Sequence, residues 1–515
     1  MKKKWIVLTV LASVAALCAC KGGNNGKKGS DDTYSAVVGI TQDLDSLDPH
    51  CAVAAGTEEV LFNVYEGLVK PSQDGTLKPA LAESYQIAED GMRYTFTLRK
   101  NVLFHNGKEM TADDVVYSIK RCAGLLPDPD PGVKVESALS VISTVEKTDE
   151  STIEINLKEP NTELLGFLTC AVIPMPGGPA DSAQDGTADR REIGTGPYKI
   201  KSWTPLESFV IERFEDYYGE KPELQEVTFK ICASNDAAFM ELLSGQIDIF
   251  PYLTEEQASQ LTSDFELLAG QSNLVQALFL NNKSGAFQNV NVRKALCYAV
   301  DKDELLQIVA GGHGNVIGSG MFPNFGSYYN ASLEDYYKYR PDEAKRLLAA
   351  EGYDEKNPLT FTVKVPSNYD FHVATAQVLV QQLAKVNVKM NIQLIEWSTW
   401  LSEVYKERNF EATVVGLDAA LAPSDMLKRY QSTASNNFLN YSDAEFDKRY
   451  NTAKNSTDMT EKINEYQEAQ RILTEDAASV YLQDPAKYVA IKKDLTGFVF
   501  YPVYVLDMST IKVVK

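Results

Sequence analysis

The sequence predicts an α/β protein built of two mixed lobes. Three observations lead to this class. Segments with alternating polar and apolar residues, typical of strands, are interleaved along the chain with segments of helical periodicity. Residues 359–366, 372–387 and 388–397 follow each other as strand, helix and strand, which is the order of a βαβ unit. The chain has 515 residues, which is enough for about two to four domains.

Each remaining element has a local signal. Residues 34–49 begin as a strand and end in a proline turn, and 57–69 have apolar residues at helical spacing with acids in the first turn. Residues 92–107 alternate and close on Asn-Gly, which predicts a strand with a turn, and Thr111 caps a predicted helix over 111–122. The further predicted elements are strands at 151–160, 198–203 and 208–214, a helix stopped at Gly245 with a strand after it, and helices at 290–312 and 340–353.

The stretch "EIGTGPYKIKSW" (192–203) could be a phosphate cradle or a sharp turn that feeds a strand. It lacks the GxGxxG spacing of a dinucleotide-binding loop, and Pro197 removes a backbone donor that a phosphate would need. We therefore interpret the stretch as a turn followed by a strand.

The first 20 residues are typical of a bacterial lipoprotein signal peptide. "MKKK" is a basic start, "WIVLTVLASVAAL" is apolar but shorter than a membrane span, and "LCAC" ends in Cys20. This ending resembles a lipobox, in which Cys20 would carry the lipid; the alternative is an ordinary signal peptide cut after a small residue. Residues 21–33 are predicted to be a flexible tether. The protein is expected at the extracytoplasmic face of the bacterial cell membrane, lipid-anchored, and in the periplasm if the organism has an outer membrane.

Charge and motifs argue against several classes of function. The chain has 71 acidic and 50 basic residues, a formal net charge of -21, which disfavours a nucleic-acid partner because phosphate backbones require Lys and Arg. The four histidines have no metal-ligand spacing, and neither a GxSxG elbow nor a Walker loop is present. The sequence predicts no enzyme, no metal site and no cofactor. Mostly buried free thiols, with one disulfide left open, are expected for Cys51, Cys122, Cys170, Cys232 and Cys297.

The order of several phrases resembles one known family. They are "LDP" (47–49), "NVYEGLV" (63–69), "LKPALAESYQIAEDGMRYTFTLRKNVLFHNGKEMTADDVVYSIKR" (77–121), "GTGPYKI" (194–200), "LLSGQIDI" (242–249), "NVRKALCYAVDKDEL" (291–305), "DEAKRLLAAEGY" (342–353), "IEW" (395–397) and "LTGF" (495–498). From about residue 36 to 500 the chain is similar to the oligopeptide- and dipeptide-binding family of ABC-importer solute-binding proteins.

The resemblance implies a periplasmic-binding-protein-like fold of two lobes joined by a hinge, with an extra subdomain inserted in the first lobe. Residues 34–80, 195–283 and 487–515 are predicted to form lobe I, 81–194 the inserted subdomain and 284–486 lobe II. "GTGPY" would then lie where the chain leaves the insertion, its glycines permitting the turn, and "YKIKSW" would join the sheet of lobe I.

The resemblance also implies the function of a substrate-binding lipoprotein of an ABC importer. A peptide would lie extended between the lobes, bound through its main chain as in strand addition, and the closed form would be presented to a membrane permease and its ATPase. The protein is expected to act as a monomer. The alternatives left open are the same fold with an oligosaccharide, an opine or a nickel chelate, and a peptide receptor for signalling.

Six residues are predicted to contact the ligand from their position in the family pattern. They are Ala54 and Ala55, in the loop after "LDPH"; Trp397, for which core packing is the alternative; and Gly416, Asp418 and Ala419. The family usually supplies an aspartate for the peptide α-amine from a Trp-x-x-Asp motif followed by a proline. Here "VVGLDAALAPSDM" (414–426) lacks the tryptophan and Asp418 is displaced. Asp418 as the amine anchor is therefore a hypothesis, with a surface loop aspartate as the alternative. Without an anchor, the ligand would be a modified peptide, an opine-like compound or a sugar.

Overall fold

The computed structural model describes residues 34–128, 132–181 and 189–514. The predicted signal peptide, the lipidation site Cys20 and the tether as far as residue 33 lie outside the described residues.

Twelve of the described strands form one mixed sheet. Parallel and antiparallel pairs both occur in it, and helices connect several of its strands. The predicted α/β class is therefore confirmed. In chain order the strands are Ser35–Ile40, Tyr198–Thr204, Ser208–Arg213, Glu226–Ile231, Ile249–Leu253, Phe265–Gln271, Val275–Leu280, Gly314–Val316, Leu359–Pro366, Val388–Ile395, Ala412–Leu417 and Ser479–Lys492.

The strand Ser479–Lys492, here called the shared strand, divides this sheet into two parts. Its first residues, through Gln483, pair with Val275–Leu280, whereas its last seven pair with Phe265–Gln271. The chain therefore passes between the two parts twice, at residues 271–275 and 483–486. The part that holds the N-terminal strand is lobe I, and the part that holds the βαβ unit is lobe II.

A separate antiparallel sheet of four strands is inserted into lobe I. Its strands are Ala82–Ile87, Arg93–Leu98, Ile142–Asp149 and Thr152–Leu157, and the last of them lies between the second and third. Tyr94, Phe96 and Ile155 are fully buried in its core, together with Val115 and Ile119 of a covering helix. The residue limits assigned to the two lobes and the insertion stay a prediction. Two short strand pairs complete the described sheets: Val69–Pro71 with Leu77–Pro79, and Leu495–Thr496 with Lys512–Val513.

The helices confirm most of the sequence pattern. Asp370–Ala384 connects the parallel strands Leu359–Pro366 and Val388–Ile395, as the βαβ prediction requires. Thr111 caps its helix and forms a capping box with Asp114. The described α-helices are Ala55–Leu61, Ala112–Cys122, Asn235–Leu243, Glu255–Ser259, Val290–Ala299, Lys302–Ala310, Pro341–Ala350, Asp370–Ala384, Trp397–Thr399, Pro423–Leu427, Ala444–Asn455 and Met459–Glu475.

Two helices are shorter than their pattern predicts. The helix predicted over 57–69 ends at Leu61, because the side chain of Asn63 donates to Leu506 O (2.7 Å) and accepts from the Met508 N–H (2.8 Å). The helix predicted over 290–312 is broken at Asp301. The side chain of Asp301 accepts from the Glu304 N–H (3.0 Å) and so begins a second helix.

The glycines of "GTGPY" are required by a close backbone approach and not by the turn itself. A Cβ on Gly194 would lie 2.0 Å from Val64 O, and one on Gly196 would lie 2.6 Å from Asn63 O. The Gly196 N–H donates to Val64 O (2.9 Å), which ties the chain leaving the insertion to the segment after the first helix. The expected strand follows at Tyr198–Thr204. The interpretation as turn and strand is confirmed, with a different reason for the glycines.

Candidate functional site

A cavity of about 540 Å³ lies between the two lobes and the insertion. Its size is within the range of ligand pockets in proteins, about 300–1000 Å³. Lobe I contributes the helix Ala55–Leu61 and the residues after it, the insertion contributes segments near Cys122 and Cys170, and lobe II contributes residues 418–428. The apolar part of the lining is formed by Leu61, Phe62, Val69, Phe167, Leu421, Val503 and Val505.

A buried ion pair holds one wall of the cavity in place. Arg121, at the end of the helix Ala112–Cys122, donates to both carboxylate oxygens of Asp48, at 2.9 and 2.7 Å. Burial alone would raise the pKa of Asp48, but the hydrogen bonds and charge of Arg121 outweigh it and lower this pKa. Arg121 Nη1 also lies 2.9 Å from His50 Nδ1, and His50 Nε2 lies 2.8 Å from Ala171 O. This network connects the loop after "LDP" to the insertion.

A second buried carboxyl group, Glu66, lines the cavity in lobe I. It accepts hydrogen bonds from the hydroxyls of Tyr217 (2.8 Å) and Tyr218 (3.0 Å), and Lys70 Nζ lies 3.6 Å away. Burial raises the pKa of Glu66, and the charge of Lys70 and the tyrosine hydroxyls reduce this shift. Its hydrogen bonds are made within lobe I, so we assign it to supporting the wall.

Asp418 and Ala419 line the cavity from lobe II, at the end of the strand Ala412–Leu417. Tyr504, from the C-terminal segment, also lines the cavity, and its hydroxyl is close enough to the Asp418 carboxylate for the two to interact electrostatically. Burial and the charge of Asp418 raise the pKa of Tyr504, so the phenol stays a donor. Asp418 is exposed, and its carboxylate has no salt bridge within the described part of the chain, while the Arg429 guanidinium donates to the Asp418 main-chain O (2.9 Å).

The cationic residues in the lining are already paired. Lys134 lies 3.2 Å from Glu58, Lys428 lies 2.6 Å from Asp425, and Lys70 lies beside Glu66. The contrast with Asp418 means that a bound ligand meets a carboxylate without a basic partner on the lobe II side. A cationic group on the ligand is the complementary chemistry there.

The other predicted contact residues lie outside the lining. Ala54 and Ala55 are at the start of the first helix, between Ala52 and Glu58, which do line the cavity. The Ala54 N–H donates to Asp45 Oδ2 (3.1 Å), which fixes this helix start. Trp397 stacks on Trp400, with ring centroids 4.9 Å apart, and contacts Tyr369 edge-on at 5.5 Å. That packing matches the alternative given for Trp397, while its role in binding stays a prediction.

Gly416 lies just behind Asp418 and contacts a buried histidine. Its N–H donates to His372 Nε2 (3.1 Å), and His372 Nδ1 lies 2.9 Å from the side-chain amide nitrogen of Gln276. Burial lowers the pKa of His372 to about 4. Gly416 therefore supports the strand that presents Asp418.

Sequence reasoning missed Tyr504 and Lys134 as lining residues. Tyr504 lies 86 positions after Asp418, in "YPVYV", which has no local motif. Only the tertiary fold brings the two side chains together. All five cysteines in the described residues are free, and three of them are buried. Cys122 and Cys170 both line the cavity.

Two kinds of feature are absent from the described ranges. No group of three or more His, Cys, Asp or Glu side chains is arranged to hold a metal ion there. In the same residues, no helix has the length and apolar character needed to cross a bilayer.

A two-lobed α/β chain with a ligand-sized cavity between its lobes defines the class of periplasmic binding proteins. The chain belongs to the bacterial extracellular solute-binding proteins, family 5, whose model matches residues 76–438. This match confirms the predicted family and fold. The members of this family are solute-binding proteins.

Individual relatives agree over nearly the whole chain. Oligopeptide-binding protein AppA of Bacillus subtilis is 25% identical, covering 98% of this chain and 97% of its own. Glutathione-binding protein GsiB of Pectobacterium atrosepticum is 28% identical, over 91% of this chain and 92% of its own. Among solved structures, the periplasmic binding protein DppA from Helicobacter pylori, in complex with the peptide STSA, is similar with a TM-score of 0.77. It is 25% identical, and the alignment covers 94% of this chain and 99% of that one.

Proposed function

We propose that this protein captures short peptides between its two lobes and delivers them to the permease of an ABC importer. The observation that carries the proposal is the cavity itself. Its walls come from lobe I, the insertion and lobe II, while in the described residues the chain passes between the lobes at 271–275 and 483–486. A rotation about these connections opens or closes the cavity, so a ligand that contacts both walls favours the closed form.

The lining supports a peptide as the solute. Apolar side chains from all sides suit peptide side chains of many kinds, and Asp418 offers a carboxylate for a ligand amine. The names of the relatives point the same way, because an oligopeptide, glutathione and a tetrapeptide are peptides or close to them. The cavity size favours a short peptide over a long one.

The most direct identification is native mass spectrometry of the purified chain without its first 20 residues. We expect a series of masses above the protein mass that corresponds to bound short peptides. The same protein, denatured and refolded, should lose these masses and regain them when the extracted peptides are added back. A single non-peptide mass in every preparation would contradict the peptide assignment.

The role of Asp418 as amine anchor is tested by Asp418→Asn. If the carboxylate pairs with the ligand α-ammonium, the variant should bind a free-amine peptide about 10–100-fold more weakly, since this partly exposed pair is worth less than a fully buried one. An N-acetylated peptide carries no charge there, and its affinity should barely change. Calorimetric titration gives all four affinities. Equal loss for both peptides would indicate a general defect and remove Asp418 from this role.

The membrane attachment belongs to the same proposal. "LCAC" and the polar residues after Cys20 support a lipid anchor, which would keep the binding protein near its permease, and two acyl chains suffice for stable anchoring. Metabolic labelling with a palmitate analogue should label the wild type and not Cys20→Ala. Equal label on both would refute the anchor.

A further inference from the structure

The two walls of the cavity also meet directly, at a place away from the connections. Glu163 follows the insertion sheet and begins a turn, Leu164–Phe167, whose leucines are in the core of the insertion. Lys462 and Tyr466 lie on the lobe II helix Met459–Glu475, with Tyr466 in the core of lobe II. Ser424 is the second residue of the lobe II helix Pro423–Leu427, which follows Asp418–Leu421 in the chain. These four residues bridge two separate hydrophobic cores.

Glu163 is fully coordinated across this contact. Its Oε1 lies 3.0 Å from Lys462 Nζ and accepts from the Tyr466 hydroxyl (2.6 Å), while its Oε2 accepts from the Ser424 N–H (2.9 Å). Lys462 also donates to Thr162. The side chains of Glu163 and Lys462 are only 6% and 2% exposed. Both charges are therefore out of water, and each depends on partners from the other side of the contact.

The contact is continuous with the cavity. Gly166 and Phe167 line the cavity three and four residues after Glu163, and Leu421 lines it three residues before Ser424. A Cβ on Gly166 would lie 3.1 Å from Leu421 O, so the two walls are in van der Waals contact here. When the lobes separate to admit a ligand, lobe II moves away from the insertion and this contact opens. Opening would return both charges to water.

We propose that Glu163, Lys462, Tyr466 and Ser424 form a closing latch that sets how long the bound solute stays. The latch rests on the proposed function in one respect, because it requires that the lobes close on a ligand. It lies outside the cavity lining, so it acts by stabilising the closed form and not by touching the solute. Because the latch does not exist in the open form, it affects the dissociation rate and leaves the association rate unchanged.

The chain offers a matched control at the same contact. Lys454 Nζ lies 3.1 Å from Glu159 Oε1, also between lobe II and the insertion, but these side chains are 29% and 55% exposed. Exposed ion pairs contribute little, whereas removal of one partner of a buried pair leaves an unpaired charge out of water. Lys462→Met and Lys454→Met remove the same charge from the same contact and differ in burial.

The test measures binding of tri-alanine with free termini by stopped flow. Lys462→Met should raise the dissociation rate about 100-fold, while the association rate stays within about twofold. Lys454→Met should change both rates less than about threefold. The double variant Glu163→Gln, Lys462→Met should regain part of the dwell time, because neither charge is left unpaired. Equal dissociation rates for the two lysine variants, or a slower association for Lys462→Met, would overturn the latch.

A second readout separates the latch from the choice of solute. The Ser424 N–H donates to Glu163 in the closed form, so its hydrogen exchange is measured in protein as purified, with its co-purified solute still bound whatever that solute is. Lys462→Met should exchange this amide at least tenfold faster than Lys454→Met. If wild type does not bind tri-alanine, the peptide proposal loses support while the exchange result still decides the latch. Equal exchange in the two variants would overturn it.

Discussion

Two buried carboxyl groups lie where the lobes meet, and they differ in the partners that surround them. Asp484 is on the shared strand, where the chain passes between the lobes, and its Oδ1 accepts from the Leu274 N–H on the other connection (3.0 Å). Its Oδ2 is buried without a hydrogen-bond partner in the described residues. Glu163, at the latch, has partners on both oxygens and a lysine beside it. The carboxylate of Glu163 at the latch therefore has a counter-charge beside it, whereas Asp484 at the connection has none in the described part of the chain.

The difference shows in the pKa of Asp484. Burial raises this pKa to about 7, and the backbone N–H groups of Leu274 and Asn273 only reduce the shift. The titratable group facing it is Tyr329, whose own pKa is raised by burial and by the nearby carboxylates Glu334 and Asp484. The connection therefore favours a neutral carboxylic acid, whereas the latch is an ion pair that forms between the walls. Movement of the lobes would break the ion pair of the latch, whereas Asp484 would stay at the connection between the lobes.

The largest effect expected from this comparison is the pH dependence of Asp484→Asn. Asp484 has a raised pKa in the folded protein, so its contribution to stability is greatest at low pH and is lost between about pH 4 and 7. The free energy of unfolding of the variant, minus that of the wild type, should rise by up to about 4 kcal/mol from pH 4 to 8.

Urea unfolding at a series of pH values measures this difference. His105 and His372, whose pKa values burial lowers to about 4, act with the opposite sign, since they must be charged as pH falls. Both histidines are present in both proteins, so their effect cancels in the difference. Parallel pH curves for the two proteins would show that Asp484 titrates as an ordinary aspartate.

Replacing the carboxylate by an amide at the latch should change the stability of the protein in the opposite direction. Glu163→Gln leaves Lys462 buried without its counter-charge, which should destabilise the peptide-bound protein by about 3 kcal/mol at pH 8. Asp484→Asn at that pH should instead gain stability from the lost charge. Thermal unfolding with saturating co-purified peptide measures both. A gain in stability for Glu163→Gln would mean that the two carboxyl groups are equivalent.

A smaller effect is expected when only one uncharged partner is removed. Tyr466→Phe deletes the hydroxyl that donates to Glu163 at 2.6 Å but keeps the ion pair with Lys462. The peptide-bound protein should lose about 2 kcal/mol, the cost of one hydrogen bond to a charged group. Unfolding of the peptide-bound variant checks this value. A loss as large as that of Glu163→Gln would assign the latch to the phenol and not to the ion pair.

Local sequence signals predicted the elements better than the site. The cap at Thr111, the βαβ unit and the strand after "GTGPY" depend on neighbouring residues, and the structure has all three. The early end of the first helix depends on Leu506 and Met508, more than 440 positions away, so no local pattern could predict it.

The site shows the same limit. Asp418 and Ala419 line the cavity, whereas Ala54 and Ala55 lie beside the lining residues and Trp397 packs on Trp400. Contact of these residues with a ligand stays a prediction. Glu163 and Lys462 are separated by 299 positions in the chain. Neither residue belongs to a motif that predicts this contact, because the two side chains meet only where lobe II packs against the insertion. A pattern read along one segment contains no information of that kind.

The central claim is that a peptide closes the two lobes. Small-angle X-ray scattering of the refolded protein, with and without saturating co-purified peptide, tests it most directly. We expect a smaller radius of gyration with peptide, and a smaller decrease for Lys462→Met than for Lys454→Met. An unchanged radius at saturation would contradict closure, since a ligand shifts a conformational equilibrium only when it binds the two forms with different affinity.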